Sequence, residues 1–335
     1  MSYSNRIWIY GPVGLLLLVV VLYSVFWRVQ ADMLAARLDS ANGGEILPGI
    51  VFSFAEKSVG GFPFRLDAVL EGVTFTDRRP DGETSWRTER MAAHRLTYRN
   101  NLYVLEVAGL QSFELPGEPG QPSRVTHITP AIARASAILQ DGRLARFDLD
   151  LQNVEANDAR AAPEQNRTFR AGRLQFHMMG RDNDTIDVAF KVENATIGEG
   201  YKPKLAGTLA LADLRGRVSQ AASFELLERG SGSLTDALEH WRQNSGMLAV
   251  ERLALDWAGI KTDLKGSLGV DGTHRLEGEL TGAVDAGALV GSLMSAFTGG
   301  QLKLDAADAR IPISLNFRNG DIEAGLNLGL GGARR

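Results

Sequence analysis

The 335-residue chain contains no cysteine, which removes thiol nucleophiles, disulfides and cysteine-ligated zinc or iron–sulfur sites from consideration. It also lacks an excess of one charge sign. With 40 acidic and 36 basic residues the formal net charge is -4, and no long basic block is present to collect phosphates, so nucleic acid is not an expected partner. Histidine is sparse and dispersed. His94, His127, His177, His240 and His274 fall one per region, with no pair at the helical spacing of a metal site and no HExxH. A GxSxG elbow, a phosphate-binding P-loop and a dinucleotide fingerprint after a strand are missing as well. His127 with Asp148, or His177 with Asp187, are pairs that a serine could use, but such pairs arise by chance in a chain of this length. The expectation is a protein without catalytic, cofactor-binding or metal-ligating residues, and not an enzyme.

What the chain does have is one long uncharged apolar run, Ile7 to Trp27, IWIYGPVGLLLLVVVLYSVFW. Its length is that of a helix crossing the hydrocarbon core of a bilayer. Trp8 and Tyr10 stand at one end and Tyr23 and Trp27 at the other, where amphipathic rings settle at headgroup level, and Arg6 and Arg28 bracket the run. A cleaved signal peptide is the alternative, with Val29-Gln30-Ala31 as its small-residue site. The run is longer than a signal core and ends in bulky Phe26 and Trp27, which favours a retained anchor. Beyond it Val29, Met33 and Ala36 recur at helical spacing, so the helix is expected to continue. The expected organisation is a short cytoplasmic tail (1–6), a transmembrane anchor (7–27), a juxtamembrane helix (28–42) and a β-rich domain over 43–335. A polar connection near 155–168 is a candidate boundary between two lobes. Counting positive charges on either side of the anchor does not decide its orientation.

From Gly43 onward the dominant period changes from helical to two. In FPFRLDAVLEGVTF, Phe62, Phe64, Leu66, Ala68 and Leu70 share one face, whereas Val73 and Phe75 have the opposite parity, so Gly72 marks a bulge or a turn. Pro63 cannot donate to a ladder and places this segment at an edge or a strand start. Ala145, Phe147, Leu149 and Leu151 alternate with Arg146, Asp148, Asp150 and Gln152, the pattern of a sheet with one wet face. Turn chemistry is explicit at Asp141-Gly142, Ala258-Gly259, Asp271-Gly272 and Asn319-Gly320. Two helices interrupt the strands. Ser233 caps the first, with Asp236 in the capping-box position and Leu234, Leu238 and Trp241 on one stripe; Asp285 caps the second, with Leu289, Leu293 and Phe297 on its apolar face. The expected fold is therefore mainly β with a few helices: an N-terminal transmembrane helix followed by an antiparallel, curved or stacked β-sheet domain with packed helices.

The anchor, the GGFPFRLDAVLEGV segment, the LDWAGIKTDLKGSLGVDGTHRLEGELTG hairpins and the closing IPISLNFRNGDIEAGLNLG hairpin together resemble the domain-of-unknown-function family 2125 (DUF2125) of Gram-negative bacteria. The hairpins are also distantly similar to AsmA-like envelope proteins, whose β-rich periplasmic parts are associated with membrane biogenesis and lipid movement. The resemblance implies a single-pass inner-membrane protein with its bulk in the periplasm, and it supplies no catalytic residue. The resemblance implies non-catalytic envelope maintenance; inward positions that mix large aliphatics with glycine and alanine add the expectation of an apolar concave sheet that binds or transfers a membrane lipid. The candidate groove residues are Leu264, Leu268, Leu276, Leu280, Leu289, Leu293, Phe297, Ile313, Leu315 and Phe317. A scaffold that binds another envelope protein is the alternative, and an uncharacterised hydrolase the third.

Overall fold

Helix α1 runs unbroken from Ser4 to Ala41 in a computed structural model that describes residues 4–47, 49–79, 82–117, 122–141, 143–159, 167–181, 184–198, 208–228, 233–285 and 310–326. The expected anchor and juxtamembrane helix are thus one element. Its stretch Tyr10–Ala41 has a window of mean hydropathy 2.1, long and apolar enough to cross a membrane, a property that a signal sequence near the N-terminus shares. The second half docks on the sheet through Trp27, Ala31, Leu34 and Leu38, a stripe spaced four, three and four residues apart. This differs from the expected stripe: Val29 and Met33 are exposed, because the indole of Trp27 sets the docking face and the expected stripe is displaced from it by two residues, about 200° around the helix.

Among the described residues seventeen strands follow, all in one antiparallel sheet. The first group is β1 (Gly44–Leu47), β2 (Ile50–Ser53), β3 (Glu56–Gly60), β4 (Arg65–Arg79), β5 (Gly82–Leu96) and β6 (Arg99–Leu115). Next come β7 (Arg124–Thr129), β8 (Ile132–Gln140), β9 (Arg143–Asp158), β10 (Thr168–Arg181), β11 (Thr185–Ile197) and β12 (Thr208–Ser219). The last are β13 (Leu248–Trp257), β14 (Ile260–Val270), β15 (Leu276–Asp285), β16 (Arg310–Arg318) and β17 (Asp321–Leu326). From β9 to β17 each strand pairs with the next, a plain meander. Two positions are filled by half-strands: β2 and β3 share the edge of β4, and β7 and β8 together fill the gap between β6 and β9. On either side of the polar connection near 155–168, β9 and β10 pair from Thr168↔Asn157 to Met179↔Arg146.

Three local expectations need correction or refinement. Phe62 and Phe64 do not join the inward face; β4 starts at Arg65, after Pro63, and both rings are exposed, 52% and 66%. Gly72 makes no turn. It stays inside β4 with φ 61°, and the buried set passes there from Leu66, Ala68 and Leu70 to Val73. Leu234 is exposed rather than on the buried stripe, which consists of Ala237 and Trp241. Otherwise the first helix is as read. After a 3-10 turn at Ala221–Phe224 and the short α2 (Glu225–Glu228), α3 spans Leu234–Gln243 with a full capping box. Asp236 N donates to Ser233 Oγ at 3.0 Å and Ser233 N to Asp236 Oδ2 at 2.9 Å. The Trp241 indole then donates to the Ser219 carbonyl at 2.7 Å, fastening α3 to the end of β12. The second expected helix lies outside the described residues.

Candidate functional site: an apolar trough

The register pairs place one apolar row across neighbouring strands. Leu105 faces Ala93 and Ala135, Ala135 faces Leu149, Leu149 faces Phe176, and Phe176 faces Phe190. The row goes on through Leu214, Leu253, Leu264 and Gly282 to Ile313. Strands hold this alternation because one face is dry and the other wet.

In the first half of the sheet the dry face encloses a cavity of about 540 Å³, with Phe75 of β4 on one wall and Leu149 of β9 on the other. On a flat sheet those strands would stand about 19 Å apart, four inter-strand spacings. One cavity touching both means that the sheet curls here into a trough. Its lining is almost wholly apolar, including Met91, Leu105, Val107, Ala133, Phe147 and Leu151. Phe75, Trp86 and Phe113 stack in a row with centroids 5.3 and 6.0 Å apart. The polar atoms at this wall are satisfied internally: the Trp86 indole donates to Gln111 Oε1 at 3.1 Å, and Gln111 Nε2 donates to the Gly109 carbonyl at 3.2 Å. Such a lining offers dispersion and desolvation to a hydrocarbon, and its polar members are already engaged, Gln111 as described and Arg134 by Glu106.

The groove residues expected from the sequence occupy the other half of the same face. Leu264 and Leu280 are buried with Val250, and Leu268, Ile313, Leu315 and Phe317 pack against them. This part is a filled cluster. Leu276, at the start of β15, is 50% exposed, and Leu289, Leu293 and Phe297 lie outside the described residues. Of the anchor residues, Tyr10 is exposed, and Trp8 belongs to α1 with a side chain outside the described set. Tyr23 and Trp27 hold the sheet. The Tyr23 hydroxyl donates to the Pro63 carbonyl and lies 3.0 Å from Thr97 Oγ1, and the Trp27 indole donates to the Arg65 carbonyl at 2.7 Å. The trough residues themselves were missed as a set. Their signal was the clean alternation of Phe147, Leu149 and Leu151 together with the aromatics Phe75, Trp86 and Phe113 at inward positions.

The wet face carries ladders of ion pairs. Arg146 and His177 both contact Asp148 at 2.7 Å, Arg173 contacts Asp150 at 2.7 Å, and Arg217 contacts Asp187 at 2.8 Å. Partial burial raises the Asp148 pKa, but hydrogen bonds from Arg146 and His177 outweigh it and leave the carboxyl below its ordinary range. Asp150 and Asp187 are lowered chiefly by their bonds to Arg173 and Arg217. His177 therefore meets Asp148, not Asp187. Ser136 Oγ donates to that same carboxylate at 3.3 Å, which leaves the hydroxyl aimed at the acid instead of at the imidazole that a nucleophilic serine needs. Among the described residues no group of three His, Asp or Glu side chains is arranged to hold a metal ion.

Residues 27–331 match the profile of a family described as uncharacterized protein conserved in bacteria (DUF2125). The chain belongs to DUF2125. The match begins at Trp27, the residue that docks α1 on β4, so the DUF2125 region takes in the docking half of the helix and the whole described sheet. No curated protein and no solved structure matches the chain.

Proposed function

We propose that this DUF2125 protein is a membrane-anchored, non-catalytic module of the bacterial envelope that holds the acyl chains of a lipid in its trough. The observation that carries the proposal is the 540 Å³ cavity walled by apolar side chains of β4 to β9. Such a cavity in a soluble fold is normally filled by its own side chains, as the Leu264 cluster is. Support also comes from the anchor. The apolar half of α1 projects from the sheet, and Phe62 and Phe64 are exposed beside the Trp27 contact, 5.4 Å from Phe62 centroid to indole, as aromatic rings at a lipid headgroup layer would be. The resemblance to AsmA-like proteins, read from the hairpin sequences alone, is what suggests lipid handling and a periplasmic sheet. A scaffold would use the wet face, where Asp148, Asp150 and Asp187 are already engaged by arginines of the same sheet. The test is mass spectrometry of the full chain after gentle extraction, with a periplasm-dependent reporter fused after Arg335. Co-purified phospholipid and an active reporter are expected. Protein free of lipid, or a silent reporter where a cytoplasm-dependent one fused at the same site is active, would refute the respective half.

A further inference from the structure

A smaller cavity of about 140 Å³ lies between α1 and the same dry face, at the end of the sheet nearest the apolar span. Its floor is Leu66, Ala68 and Ala93, and Met33 and Leu34 of α1 close one side. Polar groups stand at its margin: Gln30 and Arg37 from the helix, Arg95 and Tyr103 from the sheet. Arg95 pairs across the strands with Leu66 and Tyr103, which puts a guanidinium on the face that is otherwise apolar.

The two arginines differ from those of the wet face. Arg134, Arg146, Arg173 and Arg217 each have a carboxylate within 3 Å. Among the described residues neither the Arg37 nor the Arg95 guanidinium has an ion pair or a hydrogen bond. His94, at the same wall, is held by Asp67 at 2.8 Å. A guanidinium on an apolar face without a carboxylate invites an external anion, and its planar fork matches phosphate oxygens. The small cavity is also the neighbour of the large one on that face. Ala93 and Met91 are consecutive inward positions of β5, as Tyr103 and Leu105 are of β6; the first of each pair lines the small cavity and the second the large one. One such step is about 7 Å.

We propose that Arg37 and Arg95 bind the phosphate of a phospholipid whose acyl chains pass Met91 and Leu105 into the trough. Arg37 lies about 15 Å along α1 beyond Trp27, whereas Leu66, the cross-strand partner of Arg95, packs on Trp27 itself, so the site reaches from the Trp27 level outward. This assignment rests on the trough being an acyl-chain site, and the experiment separates the two. The full chain in maltoside micelles is exposed to phosphatidylglycerol with a photoreactive acyl chain, or to a diacylglycerol with the same chain, and adducts are mapped by mass spectrometry. With phosphatidylglycerol, adducts are expected on β5 and β6 as well as on residues 10–26. Arg37→Gln combined with Arg95→Gln should lower the β5 and β6 adducts roughly tenfold, the effect of losing charge-assisted bonds to phosphate. Adducts on residues 10–26 and all diacylglycerol adducts should stay as in the parent. Arg37→Lys with Arg95→Lys, which keeps the charge, should recover part of the loss. Excess inorganic phosphate should not displace the lipid; displacement would assign the site to free phosphate and overturn the proposal. Equal phosphatidylglycerol adducts in parent and glutamine variant would overturn it while sparing the trough. No β5 or β6 adducts from either lipid would overturn both.

Discussion

Asn153 of β9 and Asn194 of β11 flank Gly172 of β10 from opposite sides, since Ala171 pairs with both Val154 and Ala195, and both asparagines have positive φ, 48° and 52°. At this line each strand passes its inward set from one parity to the other. On β9 it goes from Leu151 to Val154, on β10 from Ala171 to Leu174, and on β11 from Val192 to Ala195. Gly72, with φ 61°, does the same for β4, and β6 accommodates an extra residue beside Gly109, with φ 80°. A left-handed residue in a strand bends it and turns the next side chain over. Aligned in neighbouring strands, these residues crease the sheet without exposing its dry face, which is how a long meander curls into a trough.

Asn tolerates the left-handed region and a β-branched residue does not. Asn194→Gly should therefore be close to neutral, and Asn194→Val should cost about 1–3 kcal/mol, the usual penalty for a forced backbone conformation. Urea unfolding of the detergent-solubilised chain measures both. A valine variant as stable as the glycine variant would show that the crease carries no strain.

The turn between β16 and β17 offers an independent check. Asn319 and Gly320 have φ 53° and 81°, the pair of positive angles of a type I′ hairpin turn that Asn-Gly promises in the sequence. Gly320→Val should destabilise by about 1–3 kcal/mol, read as a shift in the unfolding midpoint. Gly320→Asn, which keeps access to positive φ, should cost less.

Much of this architecture was legible in the residues. The parity slip at Gly72 showed directly, because Leu70 and Val73 are both large and apolar. The slips at Asn153 and Asn194 did not, since an asparagine inside a strand reads as an ordinary outward residue. The groove was expected at the Leu264 and Leu280 strands, whereas the large cavity lies at the Leu149 and Leu105 strands, for a related reason. The Leu264 and Leu280 strands have the same alternation as those of Leu149 and Leu105, and alternation reports which face is dry but not how tightly the sheet curls. Curvature depends on the crease, and the crease depends on backbone angles. Arg37 and Arg95 were invisible as a pair because they come from a helix and a strand that meet only after α1 docks.

The stability of α3 should depend on acid. Hydrogen bonds from Arg242, Gln243 and His274 hold the Glu239 carboxyl down, from 4.5 to about 2. The His274 contact, 3.1 Å, ties α3 to the connection between β14 and β15. Because the folded pKa is depressed, this stabilisation is complete above about pH 4.5 and is lost as the pH falls towards 2. Unfolding midpoints measured from pH 5 to pH 2.5 should fall more steeply in the parent than in Glu239→Gln. Parallel curves would mean that Glu239 is not held in this way.

The functional proposal makes its sharpest prediction through two leucines of the same face. Leu149 lines the open cavity, whereas Leu264 is 2% exposed inside the filled cluster. A carboxylate at Leu149 has room and water within reach, so Leu149→Glu should lower the melting temperature little. It would nevertheless put a charge against the acyl chains, and burying an unpaired charge is costly enough to expel them. At Leu264 the same substitution puts the charge into close-packed side chains with no ligand to displace, so the loss falls on the fold. Leu149→Glu should therefore give folded protein without phospholipid, and Leu264→Glu poorly folded protein. Mass spectrometry of extracted lipid alongside thermal melting tells them apart. Full lipid retention in folded Leu149→Glu would remove the trough as the binding site.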